Sequence, residues 1–194
     1  MRSLSEFVND ELYEFVNFVD IKEEEKRIVW QWRNHENIRQ WMYNTKIIEW
    51  KDHLKFIEGL KMDSTKKYWL VKKGDNYIGV SSMVDINNKS GEWGYYIAPD
   101  LHEKNLGVEF YFFTLNFLFN VVGMKTLYGN ASVKNKAANS FNDLFGFTKQ
   151  PITKKIDNES TGFFYRELSF ITWNDKIRED PRIKRLLMFT LSNI

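Results

Sequence analysis

The chain contains no cysteine, three prolines and three histidines. Without cysteine there are no disulfides and no thiolate metal sites, and such a chain suits the reducing cytosol. His35, His53 and His102 stand in separate segments, so a histidine-rich zinc site, or any other metal, is not expected. The formal net charge is only +2, which argues against nucleic acid or an anionic membrane as the main partner. The longest uncharged run, Phe110 to Met124, has 15 residues and includes Thr114, Asn116 and Asn120. It is short for a membrane span and reads as a buried helix. The first twenty residues carry acids where a secretory signal needs an unbroken apolar stretch, so a cytoplasmic location is expected. No Gly/Ser-rich linker divides the 194 residues. One domain over 1–172 is expected, followed by a helical appendage over 173–194.

Aromatic residues are abundant: 7 Trp, 9 Tyr and 16 Phe. A bulky core accounts for them most simply, and an aromatic-lined ligand cleft is the alternative. Residues 12–20 read as a first strand. EEEKRIVWQWRNHENIRQWM, 23–42, starts acidic and then carries apolar residues at helical spacing. It predicts two short helices broken near Asn34-His35, with a third helix over about 50–62. The period then changes. YWLVKKGDNYIGVSSMVDIN, 68–87, reads as a hairpin around Gly74-Asp75-Asn76, and a strand over 91–99 follows a turn at Asn88 to Gly91. A helix over 107–122 is apolar nearly all round. A strand over 125–133, a helix from Asn135 to Phe145 stopped by Gly146, and strands near 147–155 and 163–172 complete the order. The expected class is α/β (α+β), with a mixed, mostly antiparallel central sheet flanked by helices.

The segment from Ile97 to Val108 carries the most chemistry. A loop containing His102, Lys104, Asn105 and Leu106 leads into a long helix at Gly107. The first turn of a helix offers unpaired N–H groups and a favourable dipole, which together bind phosphate. Gly107 would let a ligand approach the backbone. Further on, Asn135, Ala138 and Asn142 fall at i, i+3 and i+7 and share one helix face.

The order strand, Pro99, loop and helix, then strand and Asn-led helix ending Gly146-Phe147, resembles the GNAT family of acyl-CoA N-acetyltransferases. That family's loop signature, Arg/Gln-x-x-Gly-x-Gly/Ala, falls on His102, Asn105 and Gly107, and only the last agrees. Its Asn-x-x-Ala-x-x-x-Tyr segment falls on Asn135, Ala138 and Asn142, with asparagine in place of the tyrosine. Residues 30–60, with Arg33-Asn34-His35, Trp41-Met42-Tyr43, Thr45, His53-Leu54 and Phe56-Ile57, resemble the branch of the family that serves pseudaminic-acid biosynthesis. Gly79-Val80 and Gly94-x-Tyr96 continue that match.

The resemblance implies acetyl-CoA as cosubstrate, no metal, and a nucleotide-linked sugar whose 4-amino group attacks the thioester. It places Ile97, His102, Lys104, Asn105, Leu106, Gly107, Val108, Asn135 and Ala138 along the coenzyme. Arg33 and His53 would meet the substrate diphosphate, and Tyr96 would lie between the two ligands. Met42 and Tyr43, with Phe56, would wall the sugar; for Trp41 a plain core position is preferred. Glu92 is the candidate proton acceptor, its rival role being a carboxylate paired at a strand edge. Asn142 cannot give up a proton but can donate an N–H to the leaving sulfur. Phe141 and Phe145 would shorten the acyl pocket. Two other functions stay open: acetylation of another amine, such as a different amino-sugar nucleotide or a protein N-terminus, and coenzyme binding without turnover. A homodimer is also left open by the aromatic excess and the strand edges.

Overall fold

The computed structural model describes residues 13–102, 106–156 and 159–191. Strand β1 (Tyr13–Asn17) precedes helices α1 (Glu23–Asn34), α2 (Glu36–Arg39) and α3 (Trp50–Leu60). Three antiparallel strands follow: β2 (Lys67–Lys73), β3 (Asn76–Asn87) and β4 (Ser90–Ile97). Helix α4 (Gly107–Asn116) runs on into a π-turn over Phe117–Val121. Then come β5 (Thr126–Ser132), α5 (Lys136–Leu144), β6 (Gln150–Ile156) and β7 (Glu159–Ser169). A short helix α6 (Phe170–Thr172), a second π-turn (Trp173–Ile177) and α7 (Pro181–Leu191) close the chain.

Local chemistry explains these boundaries. The Lys22 backbone N–H donates to Glu25 at 2.7 Å, and Glu23, Glu24 and Glu25 sit in the positive first turn of α1. His35 then adopts extended backbone, ending α1, and its Nδ1 accepts from the Asn37 N–H to start α2. This is the break expected near Asn34-His35. The β3–β4 turn places Asn88 and Lys89 at φ of 47° and 63°, the left-handed geometry a two-residue hairpin needs.

The seven strands lie in the order β1-β2-β3-β4-β5-β7-β6. Every pairing is antiparallel except β4 with β5, the two strands joined by the α4 crossover. The mixed, mostly antiparallel sheet flanked by helices is thus the observed class. On one face, Val29 of α1 and Ile57 and Leu60 of α3 pack on Leu70 and Val80. On the other, Glu109 through Leu115 of α4 are all buried, as its all-round apolarity implied. Trp69, Trp93, Leu127, Phe145 and Phe147 complete that layer, and Trp173, Ile177, Ile183 and Leu187 join the same core. The segment from Trp173 to Leu187 therefore shares the main apolar core. Glu109 is fully buried there, tied to Lys73 at 2.6 Å and to the Tyr13 hydroxyl at 2.8 Å.

Candidate active site

The parallel register between β4 and β5 spans only three pairs and ends at Glu92↔Tyr128. Beyond it β4 continues to Ile97, paired only with β3, and β5 continues to Ser132, paired only with β7. The two strands therefore part, with Glu92 at the apex, and the N-terminal turn of α4 lies past the end of β4. A cavity of about 1110 Å³ occupies this gap and extends over α1 to α3. Alternation along β4 divides its walls: Glu92, Gly94 and Tyr96 face α1 and α3, whereas Trp93 and Tyr95 face α4.

The half over α1 to α3 is built on a stapled loop. Arg33 Nη2 donates to the Asn44 carbonyl at 2.8 Å, and Arg39 donates to the Thr45 carbonyl at 3.0 Å. Asn34 makes a reciprocal pair with the Ile48 backbone, at 2.9 and 2.8 Å, and Trp30 donates to the same Ile48 carbonyl at 2.7 Å. The loop tip then presents Trp41, Met42 and Tyr43 to the cavity. Trp41 is 44% exposed, so the expected core position is corrected: the α2 helix ends at Arg39, and the next residues turn outward.

Four cavity-lining polar atoms, Arg33 Nη1, His53 Nε2, Asn130 Oδ1 and Arg166 Nε, are buried without a partner among the described residues. Burial lowers the Arg33 pKa, partly offset by the Tyr96 and Tyr68 phenols beside it. Burial also lowers His53, offset in part by a hydrogen bond to the Lys26 backbone. The Tyr96 phenol, half-buried on β4, is pushed up by burial and pulled back by Arg33. At the apex, the Tyr43 hydroxyl donates to Glu92 Oε1 at 2.6 Å, and Asn130 Nδ2 lies 3.2 Å from the Tyr43 oxygen and 3.4 Å from the Glu92 oxygen. Burial, together with this carboxylate, raises the Tyr43 pKa.

On the α4 side, Ile97, His102, Gly107, Val108, Asn135, Ala138 and Asn142 line the cavity. His102 is exposed and its Nε2 is 2.9 Å from the Ile97 carbonyl. Lys104 and Asn105 lie outside the described residues. Leu106 packs against the core instead of lining the cavity, because its side chain belongs to the apolar underside of the α4 entrance. The missing side chain of Gly107 faces Phe141, not open space: a Cβ there would stand 2.3 Å from Phe141 Cζ. Packing of α4 on α5 thus requires this glycine, a different reason from the ligand approach expected above. Asn135 caps α5 by accepting the Ala138 N–H at 3.0 Å. Asn142 accepts from the Tyr111 hydroxyl at 3.0 Å and donates to the Ala138 carbonyl at 2.9 Å. Phe141 lines the cavity, but Phe145 is fully buried against Tyr111, so only the first can limit an acyl group.

The structure adds residues that the spacing did not reveal. Asn130 joins Glu92, Tyr95 and Tyr111 meet across the α4 side, and Arg166 lines the floor. The polar Asn130 inside a strand was the one available signal. Leu186, Phe189 and Thr190 of α7 also line the cavity. Among the described residues, no group of His, Asp and Glu is placed to hold a metal, and no helix is long and apolar enough to cross a membrane.

The fold and part of the sequence are shared with known proteins. Acetyltransferase PseH of Campylobacter jejuni is 39% identical over 111 residues, which are 57% of this chain and 69% of that protein. The crystal structure of C. jejuni N-acetyltransferase PseH in complex with acetyl coenzyme A aligns with a TM-score of 0.64 and 28% identity. That alignment covers 81% of this chain and 99% of the other. Spermidine N-acetyltransferase from Vibrio cholerae, solved with CoA and spermine, aligns with a TM-score of 0.75 over 84% of this chain and 99% of its own; at 15% identity this shows the fold alone. Residues 16–148, well over half of the sequence, match the Acetyltransferase (GNAT) domain, and together these likenesses mean that the chain belongs to the GNAT acetyltransferase family.

Proposed function

We propose that this chain transfers the acetyl group of acetyl-coenzyme A to the 4-amino group of a nucleotide-linked amino sugar. The acceptor is of the UDP-4-amino-4,6-dideoxy-N-acetyl-altrosamine type, and the reaction belongs to pseudaminic-acid biosynthesis. The observation that carries this reading is the single cavity with two chemically different halves. One half has a parted strand edge and a helix N-terminus, suited to a thioester arm and its diphosphate. The other holds the unpartnered Arg33 Nη1 and His53 Nε2 beside an aromatic wall, suited to a second diphosphate and a base.

When bound, acetyl-coenzyme A supplies an acetyl group already activated as a thioester. The residues of this chain do the rest. The β4 edge beyond Glu92 offers backbone donors to the developing oxyanion. Tyr43 and Asn130 fix the Glu92 carboxylate, which takes the ammonium proton directly or through water so that a neutral amine attacks. Arg33 and His53 orient the acceptor, and Met42, Tyr43 and Tyr96 close around the sugar. Ile97, Val108, Asn135 and Ala138 line the arm, with the amides at Gly107 facing the diphosphate.

Asn142 favours a second reading, coenzyme binding without turnover. One assay separates them: thiol release from acetyl-coenzyme A, measured with a panel of 4-amino nucleotide sugars and of peptides. Release with a sugar is the expected result. Release with peptides alone points to a protein acceptor, and tight coenzyme binding with no release to the second reading; either result overturns the proposal.

A further inference from the structure

We infer that Tyr111 is a positioning residue that makes Asn142 a fixed N–H donor to the sulfur leaving the acyl donor. This rests on the coenzyme reading above. Bond making and breaking set the need. The amine nitrogen forms the new C–N bond, the C–S bond breaks, and the sulfur departs with the electron pair as a thiolate. Glu92, on the other face of β4, passes the ammonium proton to solvent before attack and takes the second amine proton after it, so the thiolate must be stabilised separately until it takes a proton from water.

A primary amide can meet a thiolate in two ways. Its nitrogen attracts and its oxygen repels. The structure removes the choice. The Tyr111 hydroxyl donates to Asn142 Oδ1 at 3.0 Å, and Nδ2 donates to the Ala138 carbonyl at 2.9 Å. A flipped amide would set Oδ1 against that carbonyl, two acceptors in contact. With both ends held, the amide plane is fixed; Asn142 lines the cavity, and its second Nδ2–H, which has no protein acceptor among the described residues, is the donor left for a ligand there.

The surroundings hold Tyr111 as firmly. It is 1% exposed, with Phe141 and Phe145 stacked on its ring at 5.3 and 4.9 Å between centroids. The Tyr95 phenol of β4 lies beside its hydroxyl. Arg166 of β7 faces this cluster and donates to Asp143 Oδ1 at 2.6 Å and to Asn139 Oδ1 at 2.8 Å.

The test needs no sugar. The thiol pKa of coenzyme A bound to the protein is titrated by thiolate ultraviolet absorbance, in the parent and in variants. The parent is expected to hold the thiol below its value in free coenzyme. Asn142→Ala raises it by about one to two units, the range of one hydrogen bond to a charged group. Tyr111→Phe raises it by about one unit, with the stacked ring preserved. The double variant goes no higher than Asn142→Ala, because Tyr111 acts through Asn142. Asn142→Asp, which keeps the shape and adds a charge, raises it most and serves if Tyr111→Phe does not fold. In turnover assays Tyr111→Phe lowers kcat with KM for the coenzyme unchanged. An unperturbed thiol in the parent, or no shift in Tyr111→Phe or in Asn142→Asp, overturns the inference while leaving the acetyltransferase reading intact. Failure of coenzyme A to bind overturns both.

Discussion

Gly107→Ala sets two opposed effects against each other. Alanine is favoured over glycine inside a helix by about 1 kcal/mol, and less in the first turn. The added methyl, however, would stand 2.3 Å from Phe141 Cζ and 3.0 and 3.1 Å from two further atoms of the ring. That ring cannot swing freely, since it stacks on Tyr111 at 5.3 Å between centroids. Overpacking of this kind costs about 1–3 kcal/mol, so the clash wins. The expected net loss is about 1–2 kcal/mol, a fall in Tm of roughly 2–8 °C for a chain of this size. Coenzyme affinity should fall as well, because α4 moves at the turn whose amides are proposed to meet the diphosphate. Chemical denaturation of four proteins checks the origin: parent, Gly107→Ala, Phe141→Leu and the double variant. In the Phe141→Leu background the same methyl has room, and the substitution becomes neutral or stabilising. Equal effects of Gly107→Ala in both backgrounds would refute the assignment of this glycine to α4–α5 packing.

Four further outcomes follow from the site and the core. Glu92→Gln should lower kcat by about 10²–10⁴-fold in the thiol-release assay, whereas Tyr43→Phe, which removes only an orienting donor, should cost less. Arg33→Gln should raise KM for the sugar nucleotide by about tenfold or more while leaving coenzyme affinity unchanged, checked by steady-state kinetics and calorimetry. Burial holds free His53 below its ordinary pKa near 6.5, and a diphosphate against Nε2 would raise it. Affinity for the sugar nucleotide should therefore be greatest below the free pKa and fall, by up to about tenfold per unit, as pH climbs toward the bound value; the same slope in His53→Gln would contradict this. Lys73→Met should destabilise the fold by about 3–5 kcal/mol by stranding Glu109, and adding Glu109→Gln should recover most of the loss in a denaturation midpoint.

The elements were legible because each is set by local chemistry. The acidic first turn of α1, the extended backbone at His35 and the left-handed Asn88-Lys89 turn act over a few residues. Of the candidate site, helix spacing placed Asn142 on one face with Asn135 and Ala138, whereas the roles expected of Arg33 and Glu92 came with the family resemblance. Partnerships were hidden because they depend on where β4 and β5 part. Tyr43 meets Glu92 across 49 positions, and Tyr111 meets Asn142 across 31. Trp41 illustrates the same limit: its size suggested burial, but the loop after α2 turns it outward. No periodicity in residues 181–191 distinguishes the side chains of α7 that reach the cavity from those that fill the core.

The main-chain staples beneath residues 41–43 separate scaffold from reader. Arg33, Asn34, Arg39 and Trp30 grip backbone atoms of Asn44, Thr45 and Ile48, and those grips are indifferent to which side chains ride on the tip. Trp41 and Met42 can thus be exchanged without rebuilding the loop, whereas Tyr43 is also tied to Glu92, and the loop's ordering cost is met before any acceptor arrives. Drift in sugar preference among homologous chains would then concentrate at Trp41 and Met42, while the anchors beneath stay constant.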